Sequence, residues 1–391
     1  MSASPSGSAA PQGGGGRDQG PLKPGASWNG GEAFATDAGG WQGARHVLCI
    51  RLDNMGDVLM STPAMRALRE GGRRITLLAS SAGAALAPHL RDVDEVMCYD
   101  APWVKREGST PERDRDAVRR VAALAADAAV IFTVHSQSAL PAALLCRLAG
   151  IPDVLAYSRE NPYQLIKHWV REPEPHQVRR HEVLRQLKLV ETVGARTVDT
   201  RLGFTVLERD RLSLRRRLAG LGVTVERGWI AVHGGASAAS RRYPAAQLAQ
   251  ALEGLAGEGR RLLVLGGTED EGLAAELQRL RSRVPDLLDV SGQLTLGELG
   301  AAIEGASVMV CNNSGPAHIA AALGVPIVEL YALTNPQHTP WQTPQRVLNR
   351  EVPCRFCYAS VCAQGHQACL AGVAPIEVVN AARELLALRH G

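Results

Sequence analysis

From about residue 45 onward, short apolar runs alternate with longer amphipathic stretches. The run His46-Val47-Leu48-Cys49-Ile50-Arg51 is brief, apolar and bounded by a polar turn, the pattern of a buried strand. A helical pattern follows over 56–70. Strand-like runs then lie at 75–79, 96–99, 129–134 and 154–156, with helical stretches at 114–126 and 139–149. After a basic, proline-interrupted stretch over 159–175, residues 176–192 read as a helix, and over 205–228 the pattern weakens into what reads as a link. A second series follows. Its strands lie at 229–233, 262–265, 287–290, 308–311 and 327–330, and its helices at 244–255, 268–283, 295–304 and 316–323. A last helix over 375–388 opens on Pro375, in the first turn, where a missing N–H is tolerated.

This alternation predicts the α/β class, with parallel sheets covered by helices on both faces. Two successive series predict two Rossmann-like domains facing each other across a cleft, and 391 residues exceed what one compact core holds. The expected division is 45–205 for the first domain and 206–374 for the second. Residues 375–391 are expected as a C-terminal helix packing back toward the first domain. Residues 1–44 are rich in Gly, Ser, Pro and Ala, including Gly13-Gly14-Gly15-Gly16, and read as a disordered tail.

Composition narrows the partners. The net charge of +4 is small, and no long Lys/Arg run concentrates it, which argues against nucleic acid; a modest basic surplus suits a small anionic substrate. Aromatics at 4% are too few for a base-stacking platform. No run of about 18 apolar residues suggests a transmembrane helix, and the N-terminus lacks a secretory pattern. A cytoplasmic location is expected, with peripheral contact at the inner membrane face if the acceptor is a lipid. The eight cysteines then read as thiols or ligands rather than disulfides.

Three loops carry candidate chemistry. Arg51-Leu52-Asp53-Asn54-Met55-Gly56-Asp57-Val58 follows the first strand, at a carboxyl end where open α/β sheets bind ligands. Gly56 allows a tight turn there. Asp57 falls in the first helical turn, where it either acts chemically or merely complements the helix dipole. The loop lacks G-x-G-x-x-G, which makes a nicotinamide oxidoreductase a distant reading. Asn312-Asn313-Ser314-Gly315-Pro316-Ala317-His318 joins another strand to a helix whose N-terminus can bind an anion, with Ser314 and His318 in reach. His233-Gly234-Gly235-Ala236-Ser237 followed by Ser240-Arg241-Arg242 offers glycines for close approach to a diphosphate and arginines to neutralise it. Each loop alone fits an ordinary capped helix or a solvated turn equally well.

Taken together and in this order, the loops resemble the heptosyltransferase family (glycosyltransferase family 9), enzymes of the GT-B fold that build the inner core of lipopolysaccharide. The resemblance rests on Val47 to Val58, on Asn312 to Pro326, and on Leu330-Tyr331-Ala332-Leu333-Thr334-Asn335-Pro336. It implies that Asp57 is the catalytic base and that Arg241, Arg242, Asn313, Ser314, Gly315 and His318 hold the donor, with Gly56, Gly234 and Gly235 shaping the backbone around it. It also implies an ADP-sugar donor, a heptose, and a glycolipid or oligosaccharide acceptor. Asn313 departs from the acidic residue usual before the Ser/Thr-Gly pair, which leaves the donor sugar open. No Asp-x-Asp motif is read that would bind a divalent cation to the diphosphate, so metal-independent turnover without a cofactor is expected, with the arginines and the helix N-terminus stabilising the leaving charge.

Cys354, Cys357, Cys362 and Cys369, with His366 among them, are dense enough to ligate zinc or an iron–sulfur cluster, or to be reduced thiols in a loop. Cys49, Cys98, Cys146 and Cys311 lie in apolar runs and read as core residues. The rival readings are a nucleotide-sugar epimerase and a metal-binding interaction protein working through the C-terminal cysteines.

Overall fold

A computed structural model describes residues 39–104, 110–223, 228–256, 260–267 and 271–388. The first half runs α1 (Gly39–Gln42), β1 (His46–Arg51), α2 (Met55–Glu70), β2 (Arg74–Ala79), α3 (Ser81–Ala84), β3 (Glu95–Cys98), α4 (Pro111–Ala123), β4 (Ala128–Ile131), α5 (Leu140–Leu148), β5 (Asp153–Ser158), β6 (His168–Arg171) and α6 (Glu182–Glu191). The second runs α7 (Glu208–Gly220), β7 (Ile230–His233), α8 (Ala245–Leu255), β8 (Leu262–Leu265), α9 (Glu271–Leu280), β9 (Leu287–Asp289), α10 (Leu296–Glu304), β10 (Val308–Asn312), α11 (Gly315–Ala322), β11 (Ile327–Leu330), β12 (Gln345–Leu348), α12 (Ala368–Ala371) and α13 (Pro375–Ala387).

Each half holds one six-stranded parallel sheet, ordered β3-β2-β1-β4-β5-β6 and β12-β11-β10-β7-β8-β9. Read from the same edge, the two orders are identical. Each is the doubly wound arrangement whose order reverses beside its first strand. Strand β1 shows why the apolar runs are continuous rather than alternating. Val47 and Cys49 join one core, and Leu48 and Ile50 join the core on the opposite face. Helices cover both sides, so every position from Val47 to Arg51 is buried. The core containing Val47 continues through α2 to Ala317, Ile319 and Ala320 of α11 and on to Met309 of the second sheet, so the halves meet through packed apolar surface.

Several elements differ from the expectations drawn above. Residues 1–38 of the expected tail lie outside the described residues, but its last part is ordered. Trp41 is fully buried, edge-on to His168 at 6.0 Å, and its carbonyl accepts from Arg73 Nη2 at 3.1 Å. A single indole buries enough apolar area to fix a short segment. The expected link contains α7, whose helical pattern is hidden by arginines. Only Leu214 and Leu218 face inward, and Arg211 and Arg217 pair with Glu304 and Glu298 of α10. The half-exposed strands β6 and β12, at sheet edges, carry too little apolar signal to be read.

Helix α6 starts at Glu182 rather than 176, because His181 Nδ1 accepts from the Val183 N–H at 3.2 Å and caps it. The last helix, α13, does not pack back toward the first half. Val378, Val379, Ala382, Leu385 and Leu386 bury against α8 and the second sheet, which matches its apolar stripe. Cys98 is exposed rather than core, since it ends the edge strand β3.

Candidate active site

The carboxyl end of β1 carries a buried guanidinium among three carboxylates. Arg51 is fully buried. Its Nε lies 2.9 Å from Asp53 Oδ2, its Nη2 3.2 Å from Asp57 Oδ1, and its Nη1 2.9 Å from Glu182 Oε1. Glu182 comes from α6, which packs on α2, and it also accepts from Gln186 Nε2 at 2.6 Å. A second buried arginine, Arg185, pairs with Glu172 and lies 3.7 Å from Glu182. Burial pushes Glu182 up, but Arg51 and Arg185 outweigh it and hold the carboxyl at about 2. Asp57 and Asp53 go the other way: burial raises both, Arg51 only partly offsetting it. One cation shared among three anions cannot satisfy each in full.

Asp57 occupies the third position of α2. Its Oδ2 accepts from the Asn54 N–H at 3.1 Å, closing the first turn. Asp57 thus closes the first turn through Oδ2 and pairs with Arg51 through Oδ1. The side chain remains 14% exposed, so Asp57 is reachable while its neighbours Arg51 and Glu182 are not.

Across from it, β10 ends at Asn312, Asn313 and Ser314 make the turn, and α11 opens on Gly315 and Pro316. Among the described residues no side chain caps α11, so the positive end of its dipole is left open. Ser314 Oγ instead donates to the Asn312 carbonyl at 3.1 Å and lies 3.3 Å from His233 Nδ1. The starts of α2 and α11 touch. A Cβ on Gly56 would sit 2.6 Å from His318 Cδ2, and one on Gly315 would sit 3.4 Å from Met55 Sδ. Gly56 is needed because the His318 ring occupies the space a side chain would fill. His318 is buried, and among the described residues its Nδ1 has no hydrogen-bond partner. Burial, with His338, His181 and Arg241 nearby, pulls it down to about 3, so the ring is neutral at pH 7.

The third loop folds over the same end of the second sheet. Asn312, buried in β10, donates to the Gly234 carbonyl and accepts from the Tyr243 N–H at 3.2 Å, which fixes both ends of the loop. Arg241 Nη2 donates to Ser237 Oγ at 2.8 Å, and among the described residues no carboxylate pairs with it. Its charge is felt at His318, Tyr331 and His338. Arg242 faces its own loop, with Nε donating to the Ala236 carbonyl at 2.8 Å. A Cβ on Gly234 would meet Leu273 and Leu248 at 2.4 and 2.9 Å, and one on Gly235 would meet the His233 ring at 3.3 Å. Their missing side chains make room for protein.

A family model for glycosyltransferase family 9 (heptosyltransferase) matches residues 116–367. The chain belongs to this family. Among curated relatives it is 24% identical over 217 residues to a lipooligosaccharide heptosyltransferase 2 of Campylobacter jejuni, covering 54% of this chain and 65% of that one. It is 32% identical over 106 residues to the Haemophilus influenzae protein of the same name, covering 26% and 30%. The matched stretches thus span under two thirds of these relatives. Solved structures share the fold over 88% of this chain. They include a family 9 glycosyl transferase from Veillonella parvula (TM-score 0.73, 21% identity, 98% of that chain) and Escherichia coli ADP-heptose heptosyltransferase II (0.70, 21%, 100%). Escherichia coli heptosyltransferase WaaC, solved with ADP-2-deoxy-2-fluoro heptose, has a TM-score of 0.60 at 16% identity and 99% coverage.

In this family 9 chain, residues 331–343 form a strap from the second half to the first that sequence reasoning did not place. Its Gln337 carbonyl accepts from the Glu182 N–H at 2.9 Å. The Thr339 carbonyl is 2.8 Å from His181 Nε2, and Trp341 Nε1 donates to the Thr200 carbonyl at 2.7 Å. His338 is pulled down to about 4 by burial, with Glu182 opposing and Arg51 and Arg241 assisting. Tyr331, at the start of the strap, donates its hydroxyl to the Asn335 carbonyl and accepts from the His338 N–H at 3.3 Å. The cysteine segment supports the Arg241 loop. The Ser240 N–H donates to the Ser360 carbonyl at 3.0 Å, and Gln367 Nε2 to the Ala239 carbonyl at 2.7 Å. Backbone N–H groups of Gln367, Gln364, Gly365 and His366 hold the Cys362 thiol below its usual range. Cys354 Sγ lies 3.9 Å from His366 Nε2, yet among the described residues no three His, Cys, Asp or Glu side chains converge as a metal-ligand set.

Contrary to the expectation of no Asp-x-Asp motif, two such triplets occur, and their carboxylates pair within the protein. Asp92 and Asp94 pair with Arg66 and Arg69, while Asp114 accepts from the Tyr99 hydroxyl and Asp116 pairs with Arg119. Among the described residues no helix is long and apolar enough to cross a membrane.

Proposed function

We propose that the chain is an inverting glycosyltransferase. In this reading it moves a heptose from an ADP-sugar to a hydroxyl of a glycolipid or oligosaccharide acceptor, in lipopolysaccharide-core or related envelope glycan synthesis. The observation that carries the reading is the contact of Gly56 with His318, which sets Asp57 beside the open N-terminus of α11. The names of the curated relatives, and the ADP-sugar in the WaaC structure, support the choice of donor.

Asp57 acts as base. The acceptor oxygen attacks the anomeric carbon from the face opposite the diphosphate, and the bond from that carbon to the diphosphate oxygen breaks with its electron pair. The acceptor proton passes to Asp57 Oδ1. A carboxylate raised by burial is a better base than one near 4, though proton transfer still comes late, as the attacking oxygen gains positive character. Arg241 and the N-terminus of α11 stabilise the charge that grows on the diphosphate. Asn313, Ser314 and Gly315 line its approach, with Arg242 holding the loop that carries Arg241. Neutral His318 packs the two helix ends together and offers a polar ring nitrogen without adding charge.

Calorimetric titration with ADP, UDP and GDP, each with and without Mg²⁺, tests the donor. Selective binding of ADP without Mg²⁺ is expected, and preference for UDP or GDP rules out the ADP-sugar. Asp57→Asn is expected to lower kcat by about 10²–10⁴-fold while leaving donor affinity within a few-fold. Retention of kcat would remove Asp57 as base. Consumption of donor without any acceptor would favour an epimerase.

A further inference from the structure

Helix α6 packs on α2 and presents Glu182, only 1% exposed, to the Arg51 guanidinium. A carboxylate is costly to keep at such depth, and the pair it makes adds little stability over an apolar one. What it changes is how Arg51 meets Asp57. We propose that Glu182 is a positioning residue: by occupying Nη1 of Arg51 it keeps the guanidinium from closing a two-toothed pair on Asp57, which leaves Asp57 free to take the acceptor's proton. This rests on the reading that Asp57 is the base.

The geometry of the fork carries the assignment. A guanidinium grips a carboxylate with two teeth along either of two edges, Nε with Nη2 or Nη1 with Nη2. Nη2 belongs to both edges, and it is the nitrogen that faces Asp57 Oδ1, at 3.2 Å. Asp53 Oδ2 stands at Nε and Glu182 Oε1 at Nη1, each at 2.9 Å. Both edges are therefore closed, and Asp57 is left with a single contact, the longest of the three. With Nη1 vacated, the end-on edge opens to Asp57, and a carboxylate gripped twice is a weaker base. Glu182 itself is fixed in place. Its Oε1 also accepts from Gln186 Nε2 at 2.6 Å, its N–H donates to the Gln337 carbonyl at 2.9 Å, and Arg185 Nη1 lies 3.7 Å away. Against burial, Arg51 and Arg185 hold Glu182 at about 2, so it still balances Arg51 once Asp57 has taken a proton. Without it, protonation of Asp57 would leave the buried guanidinium with Asp53 alone. The other titratable groups around this cluster are His181 on α6, His318 on α11 and His338 on the strap. Burial keeps all three neutral at pH 7, so its pH dependence falls to the carboxylates.

The test is a carboxyl ¹³C NMR titration of the full chain, with the Asp57 signal assigned by its loss in Asp57→Asn. In the wild type, Asp57 is expected to take its proton before Glu182 as pH falls. In Glu182→Gln the Asp57 midpoint is expected to fall by about one pH unit or more, the size of effect an added cationic partner has on a carboxylate. Glu182→Asp keeps the charge and is expected to recover most of that shift. Unchanged ADP affinity certifies that the variants fold. The proposal is overturned if the midpoint in Glu182→Gln stays where it was, even with a lowered melting temperature, since that is the mark of a merely structural residue. It is overturned equally if Glu182→Asp shifts the midpoint as far as Glu182→Gln, or if Glu182 protonates before Asp57 in the wild type, an order that decides the matter even where Glu182→Gln does not fold. Failure of the base reading looks different: the midpoint moves as stated, while the acid limb of kcat, measured with ADP-heptose and lipopolysaccharide lacking its heptoses, stays in place.

Discussion

The contact between Gly56 and His318 yields a sharp prediction, because the required displacement can be read from distances. An alanine Cβ at position 56 would lie 2.6 Å from His318 Cδ2. Ordinary carbon contacts are about 3.5–4.0 Å, so the ring or the helix must retreat by roughly 1 Å. Overpacking of this kind costs about 1–3 kcal/mol, and replacing helical Gly by Ala returns up to about 1 kcal/mol, so the net loss of stability is small. The functional loss should be larger. The displaced contact is the one that sets the start of α11 against the start of α2, and a misplacement of about 1 Å can cost on the order of 10²-fold in rate. Gly56→Ala is therefore expected to lower kcat by about 100-fold, weaken ADP several-fold, and leave the melting temperature within a few degrees. The assay is product formation at saturating donor, alongside ADP titration and thermal unfolding. Pairing it with His318→Ala separates sterics from other causes, since the alanine at 56 should cost almost no stability once the ring is gone. Wild-type kcat in Gly56→Ala would refute the argument that this contact aligns the two halves of the site.

Three further outcomes are expected. Arg241→Ala should weaken ADP binding by about 1.5–3 kcal/mol, the range for a charge-assisted hydrogen bond, with a smaller deficit at high salt; equal affinity by calorimetry would place Arg241 outside the donor site. Trp41→Ala should lower unfolding free energy by about 3–5 kcal/mol in denaturant titration, because the indole is wholly buried; a loss under 1 kcal/mol would mean that α1 is not part of the cooperative core. His318 is held at about 3 in the folded chain against about 6.5 unfolded, so the unfolded chain binds the extra proton. Its contribution is present above pH 6.5 and is lost as pH falls toward 3. His318→Gln should flatten the dependence of stability on pH in that window by up to about 1.4 kcal/mol per unit, and an unchanged slope would show the ring to be protonated in the fold.

The sequence by itself determined the α/β class and its doubling, because strands buried on both faces must be continuously apolar and intervening helices must carry a stripe. Arg51 to Val58 and Cys311 to His318 could also be placed at strand ends, since polar residues with glycine after an apolar run have few other places to go. The elements that went unread share one physical cause. Strands β6 and β12 and helix α7 bury little surface, and periodicity reports only burial. Trp41 hid for the converse reason, as one large side chain leaves no period. What only the tertiary structure decided is which distant groups share a charge or a space. Glu182 and Arg51 are 131 residues apart, and nothing local in either predicts a buried pair at 2.9 Å. Gly234 also makes room for two leucines, and Gly56 for a histidine from the other half. A sequence states which groups can be anionic, cationic or absent. Folding alone decides what each absence admits and which cation a carboxylate must share, because those choices depend on packing between segments that the chain order keeps apart.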